Sequence, residues 1–222
     1  MMNQFQISDV NHHFDGKSIL SAVSLEINTG DIIGLFGRNG TGKSTLLKIV
    51  FGVLKANHVS LYFNQQPIDP KKVIEKKLMG YLPQNSFLPQ SKKVRDVIPL
   101  FFDESEKQDQ IFYAPKIGSF DQKKIGHLSL GELRYLEFII LAHLDHPFLL
   151  LDEPFSMIEP LYKEAIKDYI RLIKHKKGLL LTDHYFDDVF QVTNKNFLIK
   201  EAKLIPICGK EDLLAHQYLN TM

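Results

Sequence analysis

Cysteine is nearly absent: the chain of 222 residues has one, Cys208. A lone thiol closes no internal disulfide and has no neighbour at metal-ligand spacing, which fits a reducing compartment. Cys208 reads as a small apolar filler. Long hydrophobic runs are absent too. No stretch reaches the roughly eighteen apolar residues of a membrane-spanning helix, and Met1 to Gln6 lacks a basic region followed by an apolar run. The chain is therefore expected to be soluble and cytoplasmic, reaching a membrane only through a partner. Neither sign of charge dominates, since the formal net charge is +1, so nothing points to nucleic acid or an acidic surface as partner. No internal repeat or low-complexity segment occurs. The 44% hydrophobic content is ordinary for a globular chain, and the length suits one principal domain with at most a small appended lobe.

What is present centres on Gly37-Arg38-Asn39-Gly40-Thr41-Gly42-Lys43-Ser44-Thr45, a Gly, four residues, then Gly-Lys-Ser. Asp31 to Phe36 reads as a short buried strand before it, and Ser44 to Leu54 as a helix after it, the context a phosphate-binding loop requires. Gly37, Gly40 and Gly42 allow positive φ and a close approach to an anion, with successive N–H groups turned inward. The helix start adds partial positive charge. Lys43 suits the β- and γ-phosphates as a point charge, and the Ser44 hydroxyl is a hard oxygen ligand for Mg2+.

Along the chain, Phe5 to Val10 and Ile19 to Ile27 read as strands around an Asp15-Gly16 turn, an antiparallel sheet capping the nucleotide site. His58 to Asn64 reads as a strand, Gln65 to Pro70 as a turn, Val73 to Lys77 as a short helix and Leu78 to Leu82 as a strand. A helix around Val94 to Phe102 is kinked or cut by Pro99, and the charged stretch Asp103 to Gln110 reads as an exposed loop or helix end. One long helix is expected from Leu128 to Leu144, ended before Pro147. Phe148 to Leu151 and Gly178 to Leu181 are continuous apolar runs, as strands buried on both faces of a parallel sheet should be. Helices at Leu161 to Ile173 and Asp187 to Val192, a hairpin from Phe197 to Cys208 and a helix near Asp212 to His216 complete a three-layer α/β pattern.

Asp152 and Glu153 follow their buried strand directly, at the carboxyl edge where open α/β sheets bind ligands. Asp152 can join a Mg2+ shell, and Glu153 can polarise a water. Ser129 with Glu132 forms a capping-box pattern, whose exposed N–H groups attract phosphate.

Together these residues resemble the ATP-binding cassette family, specifically the ATPase subunit of a membrane transporter, over nearly the whole chain. Tyr81-Leu82-Pro83-Gln84 is similar to its glutamine loop, Leu128 to Glu132 to its signature, Ser156 to Glu159 to its dimer-contact loop and Thr182-Asp183-His184 to its switch histidine. Phe14 sits where the family stacks an aromatic ring on adenine. The resemblance implies an α/β P-loop core with a mainly parallel sheet, an N-terminal antiparallel β-subdomain and a small helical subdomain at about 85–145 of a single cassette, 1–222. It implies ATP and Mg2+ as cofactors, with Ser44, Gln84 and Asp152 toward the metal. Gly37, Asn39, Gly40, Gly42, Lys43, Ser44 and Thr45 would hold the phosphates. Glu153 would be the general base, His184 would hold the γ-phosphate and Gln84 would report to the partner. A nucleotide-dependent homodimer or pseudo-dimer follows, in which Ser129 and Gly131 of one cassette close the ATP of the other. Transmembrane transporter subunits are the implied partners, placing the chain peripherally on the inner face of the cell membrane with no nucleic acid expected.

Leu130 replaces the family's usual Gly and is expected to turn its side chain away; Glu159 replaces an Asp; Tyr135 and Ile140 stand where Arg is common. A partner surface around Gln84 to Phe102 and core packing of the small lobe are equal readings for Phe87, Leu88, Val97, Ile98, Leu100 and Phe101. The alternatives in function are a soluble ATP-driven switch in translation or repair, and a small-molecule kinase.

Overall fold

The structure is a computed structural model that describes residues 2–218. It opens with two long strands, β1 (Gln4–Phe14) and β2 (Lys17–Asn28), paired antiparallel across the Asp15-Gly16 turn. β3 (Ile32–Phe36) is buried at every residue and leads through the glycine-rich loop into α1 (Lys43–Phe51). Gly52, at φ 89°, stops that helix short of Leu54, because a left-handed residue here lets its N–H return to the last turn. β4 (His58–Phe63) pairs with β1, and β5 (Gln66–Ile68) folds back on β4. The stretch from Gln65 to Pro70 is thus partly strand. Asn64 and Gln65 take positive φ, 48° and 65°, as a two-residue hairpin turn demands.

α2 (Lys72–Glu75) and β6 (Met79–Leu82) follow, and then α3 (Val94–Val97) passes into a 3-10 turn at Ile98–Leu100. Pro99 lies in that turn and cannot supply a helical N–H. The stretch after Asp103 forms a helix, α4 (Ser105–Phe112), where composition points to a loop or helix end. Its single buried residue, Ile111, leaves too little apolar periodicity to announce it. The remaining elements are α5 (Leu130–His143), β7 (Phe148–Asp152), α6 (Pro160–Ile173), β8 (Gly178–Thr182), α7 (Phe186–Phe190), β9 (Lys195–Lys200), β10 (Lys203–Ile207) and α8 (Lys210–Ala215).

Two sheets result. The first is antiparallel, in the order β2-β1-β4-β5; the second runs β10-β9-β3-β8-β7-β6 with only β10 antiparallel. Alternate residues of the parallel strands face opposite layers. Ile33, Leu35, Leu150 and Leu180 pack toward α1 and the first sheet, whereas Leu149, Leu151, Leu179 and Leu181 pack toward α5 and α6. Each such buried leucine contributes about 1.5–3 kcal/mol. Burial on both faces is why these strands read as unbroken apolar runs.

Of the six apolar residues shared between the partner and core readings, Leu88, Val97 and Ile98 are buried, Phe87 and Leu100 are exposed, and Phe101 is half-buried against Phe87. Cys208 is exposed and fills no core; Ile207 takes the inward place beside it. Among the described residues, no helix is long and apolar enough to cross a membrane.

Candidate nucleotide site

The loop between β3 and α1 has the backbone its glycines permit: Gly37, Gly40 and Gly42 lie at φ 158°, 79° and 103°. No side chain caps α1, so its first-turn N–H groups are left for a ligand. Lys43 is 6% exposed and donates to the carbonyls of Gly37, at 2.6 Å, and Arg38, at 3.2 Å. Burial holds its ammonium below the usual lysine range, with Glu153, Asp152 and Asp183 pulling the other way. An ammonium held by two loop carbonyls exchanges them readily for phosphate oxygens.

A cleft of about 810 Å³ runs from this loop to the first sheet. Asn39, Gly40, Gly42, Lys43, Ser44 and Thr45 form one wall, Phe14 with His12 and Ile19 the other, and Gln84, Glu153 and His184 the end. Phe14 is 72% exposed, free to meet a flat ring. Gly37 and Asp152 are buried and do not line the cleft.

Asp152 is 1% exposed. Its Oδ1 accepts from the Ser44 hydroxyl at 3.0 Å and the Thr182 hydroxyl at 2.9 Å, and its Oδ2 from the Tyr81 hydroxyl at 3.1 Å. Burial, then the Asp152 charge, pushes the Tyr81 hydroxyl well above its ordinary range, so it stays a donor. Gln84 Nε2 reaches Ser44 Oγ at 3.4 Å and Glu153 Oε1 at 3.0 Å. Ser44 and Asp152 thus offer adjacent hard oxygens, the donor chemistry Mg2+ prefers, and the Gln84 amide lies beside them with its Nε2 turned toward Ser44. Among the described residues there is no group of three or more His, Cys, Asp or Glu able to hold a metal, so an ion here would complete its shell with phosphate and water.

Glu153 Oε1 also lies 3.0 Å from His184 Nε2. Glu153 has φ 55°, a left-handed backbone that costs a non-glycine residue about 1–3 kcal/mol and clusters at functional sites. Asp183, fully buried, accepts from the N–H of Phe155 at 2.7 Å, the Ser156 hydroxyl at 3.1 Å and the N–H of Tyr185 at 3.0 Å. It therefore ties the segment before His184 to the one after Glu153. Burial pushes its carboxyl up, against these hydrogen bonds.

Ser129 and Gly131 do not line this cleft. They begin α5, where both bonds of the capping box are made: Ser129 Oγ accepts from the Glu132 N–H at 3.1 Å, and Glu132 accepts from the Ser129 N–H at 2.9 Å. The Ser129 proton remains available to an anion. Gly131 has no room for a Cβ, because the Glu159 carboxylate and the Tyr162 ring already meet it. Leu130 is 60% exposed in the helical first turn.

Sequence reasoning missed Arg134. It is 7% exposed and donates to the carbonyls of Pro83, Asp152 and Glu153, while pairing with Glu137 at 3.6 Å. Glu137 in turn accepts from the Phe87 N–H at 3.1 Å. Tyr135 and Ile140, where the family often has Arg, are packed in the core at 1% and 0% exposure. An Arg and a Glu one turn apart in the apolar middle of the helix, between Leu133 and Ala142, were the available signal.

Residues 20–156 match the profile of the family described as ABC transporter. The chain is 26% identical over 222 residues to an uncharacterised ABC transporter ATP-binding protein of Methanocaldococcus jannaschii, spanning 96% of this chain and 80% of that protein. It is 28% identical over 221 residues to the lipopolysaccharide export system ATP-binding protein of Escherichia coli K12, spanning 93% and 90%. A nucleotide-free ATP-binding cassette from an ABC transporter shares the fold at a TM-score of 0.83 and 21% identity, over 97% of this chain and 95% of that one. None of these findings favours the soluble switch in translation or repair. The chain belongs to the ABC transporter family, as a subunit that binds and hydrolyses ATP to power transport.

Proposed function

We propose that this single cassette, with its helical subdomain at about 85–145, holds ATP with its adenine on Phe14 and its phosphates on Gly37, Asn39, Gly40, Gly42, Lys43, Ser44 and Thr45. Ser44, Asp152 and Gln84 would hold Mg2+, which when bound neutralises charge on the phosphate oxygens. Glu153 orients and deprotonates the attacking water, His184 holds the γ-phosphate, and Lys43 carries charge released from the β–γ bond. A second cassette, identical or similar, supplies Ser129 and Gly131 across the site.

The observation that carries this reading is the meeting at Glu153 Oε1 of Gln84 and His184, each at 3.0 Å, beside the Ser44–Asp152 pair. One carboxylate oxygen thereby accepts from the Gln84 amide and lies against the His184 ring at the end of the phosphate cleft, and Oε2 would face a water. Exposed Phe87 and Leu100, a short way along the chain from Gln84, support docking of transmembrane subunits there. That docking would place the chain peripherally on the inner face of the membrane, with no role for nucleic acid. Glu153→Gln should abolish steady hydrolysis while leaving ATP binding intact; retained turnover would remove Glu153 as the base. Charge substitutions at Phe87 and Leu100 should release the membrane subunits in co-purification, and undiminished recovery would refute the docking surface.

A further inference from the structure

Asp152 shares a face of β7 with Leu150, because residues two apart on a strand point the same way. β6 pairs Tyr81 with Leu150 in parallel register. The Tyr81 ring therefore rises along that same face, tilts against Phe51 of α1 with centroids 5.1 Å apart and brings its hydroxyl to Asp152 Oδ2 at 3.1 Å. Ser44 and Thr182 bond the other oxygen, at 3.0 and 2.9 Å. Hydroxyls on both oxygens do what donors on one oxygen cannot. Rotation of a carboxylate about its last torsion is broad and twofold, and the Tyr81 hydroxyl pins it from the second side. Tyr81 does not line the nucleotide cleft, so it acts only through Asp152. It also lies on the segment that runs into Gln84, whose amide reaches Ser44 and Glu153.

We propose that Tyr81 is a positioning residue for the metal: its hydroxyl locks the Asp152 carboxylate in the rotation that serves Ser44 and joins that rotation to the strand that leads into Gln84. This rests on the reading of Ser44, Asp152 and Gln84 as the Mg2+ set. Loss of an outer partner of a metal ligand weakens metal affinity by about 10–100-fold. With Thr182 still in place, the lower end, about tenfold, is expected.

The test uses Mn2+, followed by electron paramagnetic resonance, binding to the protein saturated with a non-hydrolysable ATP analogue. Analogue affinity in EDTA serves as the metal-free control. Tyr81→Phe keeps the ring on Phe51 and should bind Mn2+ about tenfold more weakly, with analogue affinity in EDTA unchanged and the thermal midpoint lowered only by the lost hydroxyl bond. Tyr81→Leu removes ring and hydroxyl and should show the same Mn2+ loss together with a midpoint lower than that of Tyr81→Phe. Parent-like Mn2+ affinity in Tyr81→Phe, or a defect confined to Tyr81→Leu, would overturn the proposal and leave the metal reading standing. A parent protein that takes up no Mn2+ with the analogue would overturn the metal reading itself, and Tyr81's role with it.

Discussion

Replacing Arg134 by Met would remove the one charged group that spans α5, the glutamine loop and the end of β7. Three carbonyls, of Pro83, Asp152 and Glu153, would lose a charged donor, and Glu137, with its side chain 2% exposed, would keep its charge without its partner. Removing one member of a buried pair costs about 3–5 kcal/mol. Glu137 retains the Phe87 N–H, and burial already raises its carboxyl toward the neutral form, so protonation trims the loss to about 3 kcal/mol. Urea unfolding followed by circular dichroism should show a lower midpoint at unchanged slope. The double variant Arg134→Met/Glu137→Leu should recover most of that stability, since well-packed apolar replacements of a buried pair are often neutral. Its ATP turnover should stay low, because the carbonyl of Glu153, at its left-handed backbone, then loses its charged donor and is left with the long bond from the Ser156 N–H at 3.4 Å. A loss below about 1 kcal/mol in the single variant, or parental turnover in the double one, would refute this account of Arg134.

Phe14→Ala should weaken ATP binding by roughly 5- to 150-fold, since stacking of a base on an aromatic ring is worth about 1–3 kcal/mol. The midpoint should not move, because Phe14 is 72% exposed; unaltered affinity in a fluorescent-nucleotide titration would remove Phe14 from the site. Stability should fall as pH drops below about 6.5. His143 donates from Nδ1 to the Ile139 carbonyl and accepts the Tyr169 hydroxyl at Nε2, both at 2.9 Å, and burial lowers its value, as it does for His146. The folded state then binds fewer protons than the unfolded one between the lowered and ordinary values, so stability present above 6.5 is lost on acidification. Thermal melts from pH 7.5 to 5 should show the slope, and His143→Gln should reduce it; an identical slope in that variant would exclude His143.

The phosphate loop was legible because its geometry is local: three glycines between a buried strand and a helix dictate the turn wherever the chain goes. The same holds for the Ser129–Glu132 capping box and for β7 and β8, whose unbroken apolar runs admit few other placements. β5 was hidden because Gln66 and Pro67 carry no strand signal; it exists because β4 offers an edge to pair with. α4 was hidden for a similar reason, its one anchor, Ile111, being fixed by the core around it. Arg134 and the Tyr81 hydroxyl escaped notice because their roles depend on distant segments. What places them is α5 packing beneath β6 and β7, and the register that sets Tyr81 beside Leu150.

The central claim is that each nucleotide is gripped by the phosphate loop of one cassette and closed by Ser129 of another. A structure of the assembled Glu153→Gln transporter with ATP and Mg2+ tests it most directly. The account predicts the Ser129 hydroxyl within hydrogen-bond distance of a γ-phosphate held by the facing cassette's loop. Ser129 remote from every γ-phosphate in that assembly would contradict it.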